Sequence, residues 1–187
     1  MALLGANSGR SRILASALAL AISSTLSSEA VAGGPVLEDA VKATYIYKFA
    51  PFVAWPAPLP TGASFVICTI GSDRVSALLP QVVEGQRIDD RPIRVRALAE
   101  GEPAGDCRIL YIAAAVATAP LLEPLRGKAI LTVTSGADAH GIVQLVTTSK
   151  HVSFDIDARL ASEDGLEISS KLLGLARNVT KPAESRP

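Results

Sequence analysis

Aromatic residues are only 4% of this 187-residue chain; histidine and cysteine each occur twice, and tryptophan and methionine once. So few ligating side chains exclude a cysteine-built structural zinc site and leave little material for histidine-based catalysis. Lysine plus arginine equals aspartate plus glutamate at 18 each, so the formal net charge is zero. No whole-chain field draws nucleic acid or anionic lipid, and those partners are set aside. The chain has no G-x-G-x-x-G, no P-loop lysine, no G-x-S-x-G elbow and no C-x-x-C, which removes the usual nucleotide, hydrolase and dithiol signatures. Internal repeats are missing too.

Long apolar runs are equally scarce, with one exception near the start. Arg10 and Arg12 precede an apolar stretch from Ile13 to Ile22, and Ala30-Val31-Ala32 has the small-x-small form of a signal-peptidase site. The run is too short to span roughly 30 Å of hydrocarbon. Residues 1–32 therefore read as a cleavable secretory signal, with cleavage before Gly33, and not as an anchor inserted in the membrane. Residues 36–180 form one domain, and 181–187 a flexible tail. Hydrophobic content of 49% is ample for one core. Cys68 and Cys107 both fall in the exported part, where an oxidising compartment favours a disulfide; two separate buried thiols are the alternative.

The final stretch organises the rest. Val152, Phe154 and Ile156 alternate with Ser153, Asp155 and Asp157, the period of a half-buried strand. Ile168, Leu172, Leu175 and Val179 then recur at helical spacing and predict a closing amphipathic helix. At the other end, Leu37, Val41, Tyr45, Phe49 and Phe52 predict a helix over 36–53, with Glu38 and Asp39 in its first turn and Pro51 ending or kinking it near Ala50. Between these lie a strand at 64–70, a helix at 75–83 capped by Asp73, a strand at 92–98 with Arg94 and Arg96 on its wet face, and a buried strand at 108–114. A short helix near 121–125, a strand at 129–134 and a hairpin of 142–147 with 151–157 complete the series. The order predicts an α/β fold: a single-domain mixed sheet with helices packed on its faces, a layered sandwich with an antiparallel edge.

Few residues invite chemistry. Gly71-Ser72-Asp73 follows a strand and precedes a helix, where amides can cradle phosphate, but an ordinary strand-to-helix turn explains it as well. His140 and His151 would need Asp138, Asp155 or Asp157 to hold a metal, and their spacing is neither i,i+4 nor a close pair. Asp155 and Asp157 share one face of a strand and read as solvated. No catalytic set, metal site or cofactor is expected. Tyr45, Tyr47, Phe49, Phe52 and Trp55 hold five of the eight aromatics. They suit a core, while Tyr47 and Trp55 are candidates for a partner-binding patch.

Taken in order, several landmarks resemble the YfiR family of periplasmic proteins of Gram-negative bacteria. They are Val41-Lys42-Ala43, Tyr45-Ile46-Tyr47-Lys48-Phe49-Ala50, Phe52-Val53-Ala54-Trp55-Pro56, Phe65-Val66-Ile67-Cys68 with Gly71, and Cys107-Arg108-Ile109-Leu110-Tyr111-Ile112. Ile130-Leu131-Thr132-Val133, Val152-Ser153-Phe154-Asp155-Ile156-Asp157 and Leu166-Glu167-Ile168-Ser169-Ser170-Lys171-Leu172-Leu173 follow. The family cysteine pair is retained at Cys68 and Cys107. His140-Gly141 stands where a glycine pair is usual, and the second cysteine pair of some members is missing, so redox switching through a second bridge is not implied. The resemblance implies a non-enzymatic repressor that binds the periplasmic part of an inner-membrane diguanylate cyclase and keeps cyclic di-GMP low. A second copy of the chain is another partner it allows. The alternative is a periplasmic ligand-binding or assembly module with a different membrane partner.

Overall fold

The computed structural model describes residues 33–116, 119–136, 140–148 and 151–181. The expected signal segment, Asp138 and residues 182–187 lie outside them. Helix α1 (Gly33–Lys48) leads through a 3-10 turn (Ala50–Phe52) into β1 (Val53–Ala54). Pro51 sits in that turn, so the helix ends where a missing amide donor predicts. Because α1 begins earlier than the apolar stripe suggested, Glu38 and Asp39 are not in its first turn. Glu38 instead pairs with Lys42 at 2.7 Å and accepts from Thr147 Oγ1 at 2.5 Å, tying the helix to the sheet.

The rest of the sheet follows in chain order: β2 (Phe65–Ile70), α2 (Arg74–Val82), β3 (Arg87–Ile88), β4 (Arg91–Leu98), β5 (Ile109–Ile112) and α3 (Ala119–Leu122) with its 3-10 extension (Glu123–Leu125). Then come β6 (Leu131–Ser135), β7 (Val143–Thr148), β8 (His151–Asp157), α4 (Ala158–Glu163), β9 (Glu167–Ile168), α5 (Ser170–Leu173) and β10 (Asn178–Thr180). Eight strands lie in the order β10-β8-β7-β6-β5-β2-β4-β3, and β1 pairs with β9 in a separate ribbon of two strands. The central run β7-β6-β5-β2-β4 is parallel; β7 with β8 and β3 with β4 are antiparallel. This is the mixed α/β sheet that the element order predicts.

Strand alternation divides the apolar residues between two layers. Ile67, Ile109, Tyr111, Leu131, Val133, Val143 and Leu145 meet Ala43, Ile46 and Phe49 of α1 and Val75 and Leu79 of α2 in the larger core. Cys68, Ile70, Leu110 and Ile112 turn to the other face, against Leu98, Ala104, Cys107, Leu122 and Leu125. Central strands are therefore covered on both sides, which is why 109–112 read as a continuous apolar run.

Two segments depart from simple expectation. Parallel strands β6 and β7 are joined by residues 136–142, much shorter than the dozen or more a crossover usually takes. The described end of this connection lies against β6: Ile142 N–H donates to Thr132 Oγ1 at 2.9 Å, and Thr134, wholly buried, has its hydroxyl 3.4 Å from the Val143 carbonyl. A Cβ on Gly141 would stand 2.9 Å from Thr134 Cγ2 and 3.0 Å from the Thr132 carbonyl oxygen, so glycine is required by the close approach.

The second departure corrects the closing helix. Only Ser170–Leu173 is helical, capped by the Ser169 hydroxyl and ended at Gly174. Ile168 belongs to β9, Val179 to β10, and Leu175, placed on the buried stripe by its spacing, is 69% exposed. A helix this short is not stable alone. The free edge of β8 offers ladder bonds instead, and residues 178–180 pair with it in parallel. Leu172 is buried in the larger core as its position predicts.

Candidate functional site

Cys68 and Cys107 are joined as a disulfide, with Cα atoms 5.7 Å apart. The bridge ties β2 to the connection between β4 and β5, inside the smaller core. Beside it, Arg96 Nη2 contacts Asp106 Oδ1 at 2.6 Å and the Pro103 carbonyl at 3.3 Å, so Arg96 is not simply solvated as alternation suggested. Arg94 donates from Nε to Ser64 Oγ at 3.0 Å. Cys68, Asp106 and Cys107 bring potential metal donors together, but both sulfurs are consumed by the bridge.

The aromatic group separates into core and surface. Tyr47 is only 8% exposed and belongs to the larger core, where it offers little to a partner. Phe49 stacks edge-on against Phe154 at 5.0 Å, and Tyr45 meets Phe154 at 6.0 Å. Trp55 is half-buried at the end of the β1 ribbon, edge-on to Phe65 at 5.6 Å, with the Arg108 guanidinium carbon 6.0 Å from its ring centroid. Its indole Nε1 is buried with no hydrogen-bond partner.

What positions Trp55 is a pair of arginines that sequence reasoning missed. Arg91 donates to the carbonyls of Leu59 (3.0 Å), Pro60 (2.6 Å) and Ala63 (3.1 Å), and Arg108 donates to the Ala57 carbonyl (2.9 Å). A proline-rich loop with few partners of its own is thus fastened to β4 and β5 through forked guanidinium donors. Burial first, then the nearby Arg91 charge, lowers the Arg108 pKa. Together with Val53, Pro58, Phe65 and Asp89 these groups line an open pocket of about 350 Å³. It presents an aromatic edge and fixed positive charge, which suits recognition of a polar chain with apolar side groups. Nothing in the local sequence marks Arg91 or Arg108 as loop clamps, because their partners are carbonyls far along the chain.

The turn at Gly71-Ser72-Asp73 is structural. Asp73 caps α2: Oδ1 accepts from Ser76 N–H at 2.8 Å, and Ser76 Oγ accepts from Asp73 N–H at 2.9 Å. Its other oxygen accepts from the wholly buried Tyr111 hydroxyl at 2.6 Å. Burial and this carboxylate push the Tyr111 phenol far up, so it stays neutral. The amides of Asp73 and Ser76, which could face a phosphate, are already engaged in this capping box, and a side chain on Gly71 would run into Val116.

Asp155 and Asp157, read as solvated, are also employed. Arg177 grips Asp155 through Nε (2.9 Å) and Nη2 (2.6 Å), and Asp157 caps α4 by accepting from Leu160 N–H at 2.8 Å. His140 and His151 are both exposed; His140 lines a shallow pocket with Asp155 and Asp157, whose carboxylates these contacts occupy.

A comparison with curated proteins found no match. A family profile described as YfiR/HmsC-like matches residues 39–177. That span runs from within α1 to Arg177 and takes in the disulfide, both cores, the Trp55 pocket and the paired arginine clamps. The chain belongs to the YfiR/HmsC-like family.

Proposed function

We propose that this protein is exported to the periplasm and acts there as a non-enzymatic regulator: it binds the periplasmic part of an inner-membrane diguanylate cyclase and keeps cyclic di-GMP low. The family match over residues 39–177 carries this reading. The disulfide supports it, since such bridges persist in oxidising compartments. So does the employment of Asp73, Asp155 and Asp157, weighed above as candidates for chemistry, in capping and bridging. A domain that makes no product can still hold a membrane enzyme inactive, provided it binds the inactive state more tightly than the active one. Displacing a balanced equilibrium to 99:1 takes about a hundredfold preference, or roughly 2.7 kcal/mol of differential contact.

Trp55 is the partner-facing aromatic in this reading, and the burial of Tyr47 leaves it a smaller part. Deleting the gene is expected to raise cyclic di-GMP and surface adhesion, and the purified domain is expected to retain the cyclase from detergent-solubilised membranes. Trp55→Ala should weaken that retention without lowering the melting temperature by more than a few degrees. Unchanged cyclic di-GMP and adhesion in the deletion strain would overturn the proposal. Fractionation and N-terminal sequencing test the export step, with Gly33 expected as the first residue of the mature chain.

A further inference from the structure

The outer edge of β4 is open. β3 covers only its first two residues, Arg91 and Pro92, while Ile93 to Leu98 pair with β2 on one side and with no described strand on the other. Asp89 and Asp90 form the two-residue turn between β3 and β4, both at positive φ (48° and 60°), the signature of a tight hairpin. The residues flanking such a turn, Ile88 and Arg91, are the hydrogen-bonded pair, so Arg91 directs its backbone groups towards β3. Alternation then turns the N–H and C=O of Ile93, Val95 and Ala97 outward and those of Arg94 and Arg96 towards β2. The Ile93 N–H is taken by β3, because the Arg87–Pro92 pair has no donor of its own on Pro92 and is held by the bonds flanking it; among the described residues, no ladder or turn bond is made to the outward groups of Val95 and Ala97.

Beside this edge, on the α2 face, lies an open groove of about 380 Å³ whose apolar lining is Pro80, Val83, Pro92, Ile93 and Val95; Glu84 and Arg87 leave it neutral. The opposite face of β4 carries Arg94 and Arg96 and no acidic residue of the strand, while alternation leaves Arg91 on the face of Ile93 and Val95. Arg91 is spent on the 57–63 loop and Arg96 on Asp106, whereas Arg94 is exposed and, among the described residues, bonds only Ser64. A second copy adding through the same edge would bring the arginine rows of two chains onto one face, which cross-strand repulsion disfavours. The groove also adjoins the Trp55 pocket: Asp89 and Arg91 line one, Arg87 and Pro92 the other, and the hairpin joins them.

We propose that β4 takes up an extended segment of a partner protein as an added strand, a segment in which acidic and apolar residues alternate. Its backbone bonds to Val95 and Ala97, its apolar side chains enter the groove beside α2, and its carboxylates face Arg94. Main-chain bonds supply affinity in such augmentation, and the alternating side chains supply selectivity. The inference rests on the reading that the protein works by binding another protein, and it assigns the surface.

Amide hydrogen exchange on the purified, oxidised protein tests it, with a synthetic peptide of alternating glutamate and valine and a control carrying lysine for glutamate. In the free protein the amides of Val95 and Ala97 should exchange fast while those of Arg94 and Arg96 are protected. The glutamate peptide should slow the first two by about tenfold or more, and the lysine peptide should not. Arg94→Glu should weaken binding of the glutamate peptide by about tenfold or more and admit the lysine peptide. Protection of the Val95 and Ala97 amides in the free protein, protection confined to other strands, equal effects of both peptides, or no binding would each overturn the proposal. So would protection that grows with protein concentration alone, since that gives the edge to a second copy. If the cyclase is retained equally by wild type and Arg94→Glu, this surface is wrong and the regulatory function stands. If the cyclase is not retained but the glutamate peptide protects β4, the edge stands and the choice of partner is wrong.

Discussion

At the scale of single residues, charge pairs set the acid response. The bidentate Arg177 contact holds the Asp155 carboxyl below its usual range, with Asn178 adding to it. A depressed folded pKa contributes stability that is present above the unfolded value, about 3.9, and disappears as pH falls through the folded one. Asp164 has the opposite sign: burial raises it, so its contribution is present below the unfolded value and lost as pH rises through the folded one. Urea melts across the acid range should therefore show wild type losing stability below about pH 4, and Arg177→Gln losing less of it over the same interval. Parallel curves for the two proteins would contradict the pairing. Neither role was visible in the sequence, where Asp155 looked like any exposed strand carboxylate, because Arg177 comes beside it only when β10 docks on β8.

At the scale of elements, the cap of α2 and the short return between β6 and β7 are the instructive cases. Asp73 was readable as a cap from its position before an apolar helix. That its second oxygen also receives the buried Tyr111 hydroxyl was not, since strand β5 lies far along the chain. Asp73→Ala should cost about 0.5–2 kcal/mol for the lost cap, plus about 1–3 kcal/mol for a buried hydroxyl left without an acceptor. Adding Tyr111→Phe should recover part of the second loss, and a double-mutant cycle by denaturant melting reads the coupling directly. Gly141→Ala should cost about 1–3 kcal/mol, because the new methyl meets Thr134 and the Thr132 backbone of a packed sheet. A neutral effect would mean that the return does not lie against β6. The closing helix is the clearest misreading: Ile168, Leu172, Leu175 and Val179 keep a helical period, yet Gly174 and the free edge of β8 prevail over it.

At the scale of the molecule, the sheet separates two apolar layers of unequal size, and the disulfide lies in the smaller. The helices α1 and α2, joined by Leu160 and Ala161 of α4 and Leu172 of α5, secure the larger layer. The smaller is closed largely by irregular chain at 99–107 and the α3 turn, so its order depends more on the cross-link. The bridge spans a sequence separation of 39 and, on loop-closure entropy, is worth about 4 kcal/mol. Cys68→Ser, or reductant on the native protein, should lower the melting temperature by several degrees, with exchange protection falling first at Leu98 and Ile112. An equal melt in oxidised and reduced protein would count against that dependence.

Local chemistry determined much of this protein. Hydrophobic period marked most of the strands, proline ended α1, aspartate and glycine marked the start of α2, and two cysteines in a chain read as exported foretold their bridge. These depend on backbone dihedrals, side-chain period and near-neighbour bonds, which adjacent residues decide among themselves. Tertiary structure alone decided that the final segment would be a strand, that Arg91 and Arg108 would clamp a distant loop, that Tyr47 would be core while Trp55 stayed half-open, and that the outer side of β4 would be left uncovered. Each is a competition between elements for a limited set of hydrogen-bonding edges and apolar faces. Its outcome depends on which groups remain unpaired after the rest has packed, a quantity no local window of sequence contains.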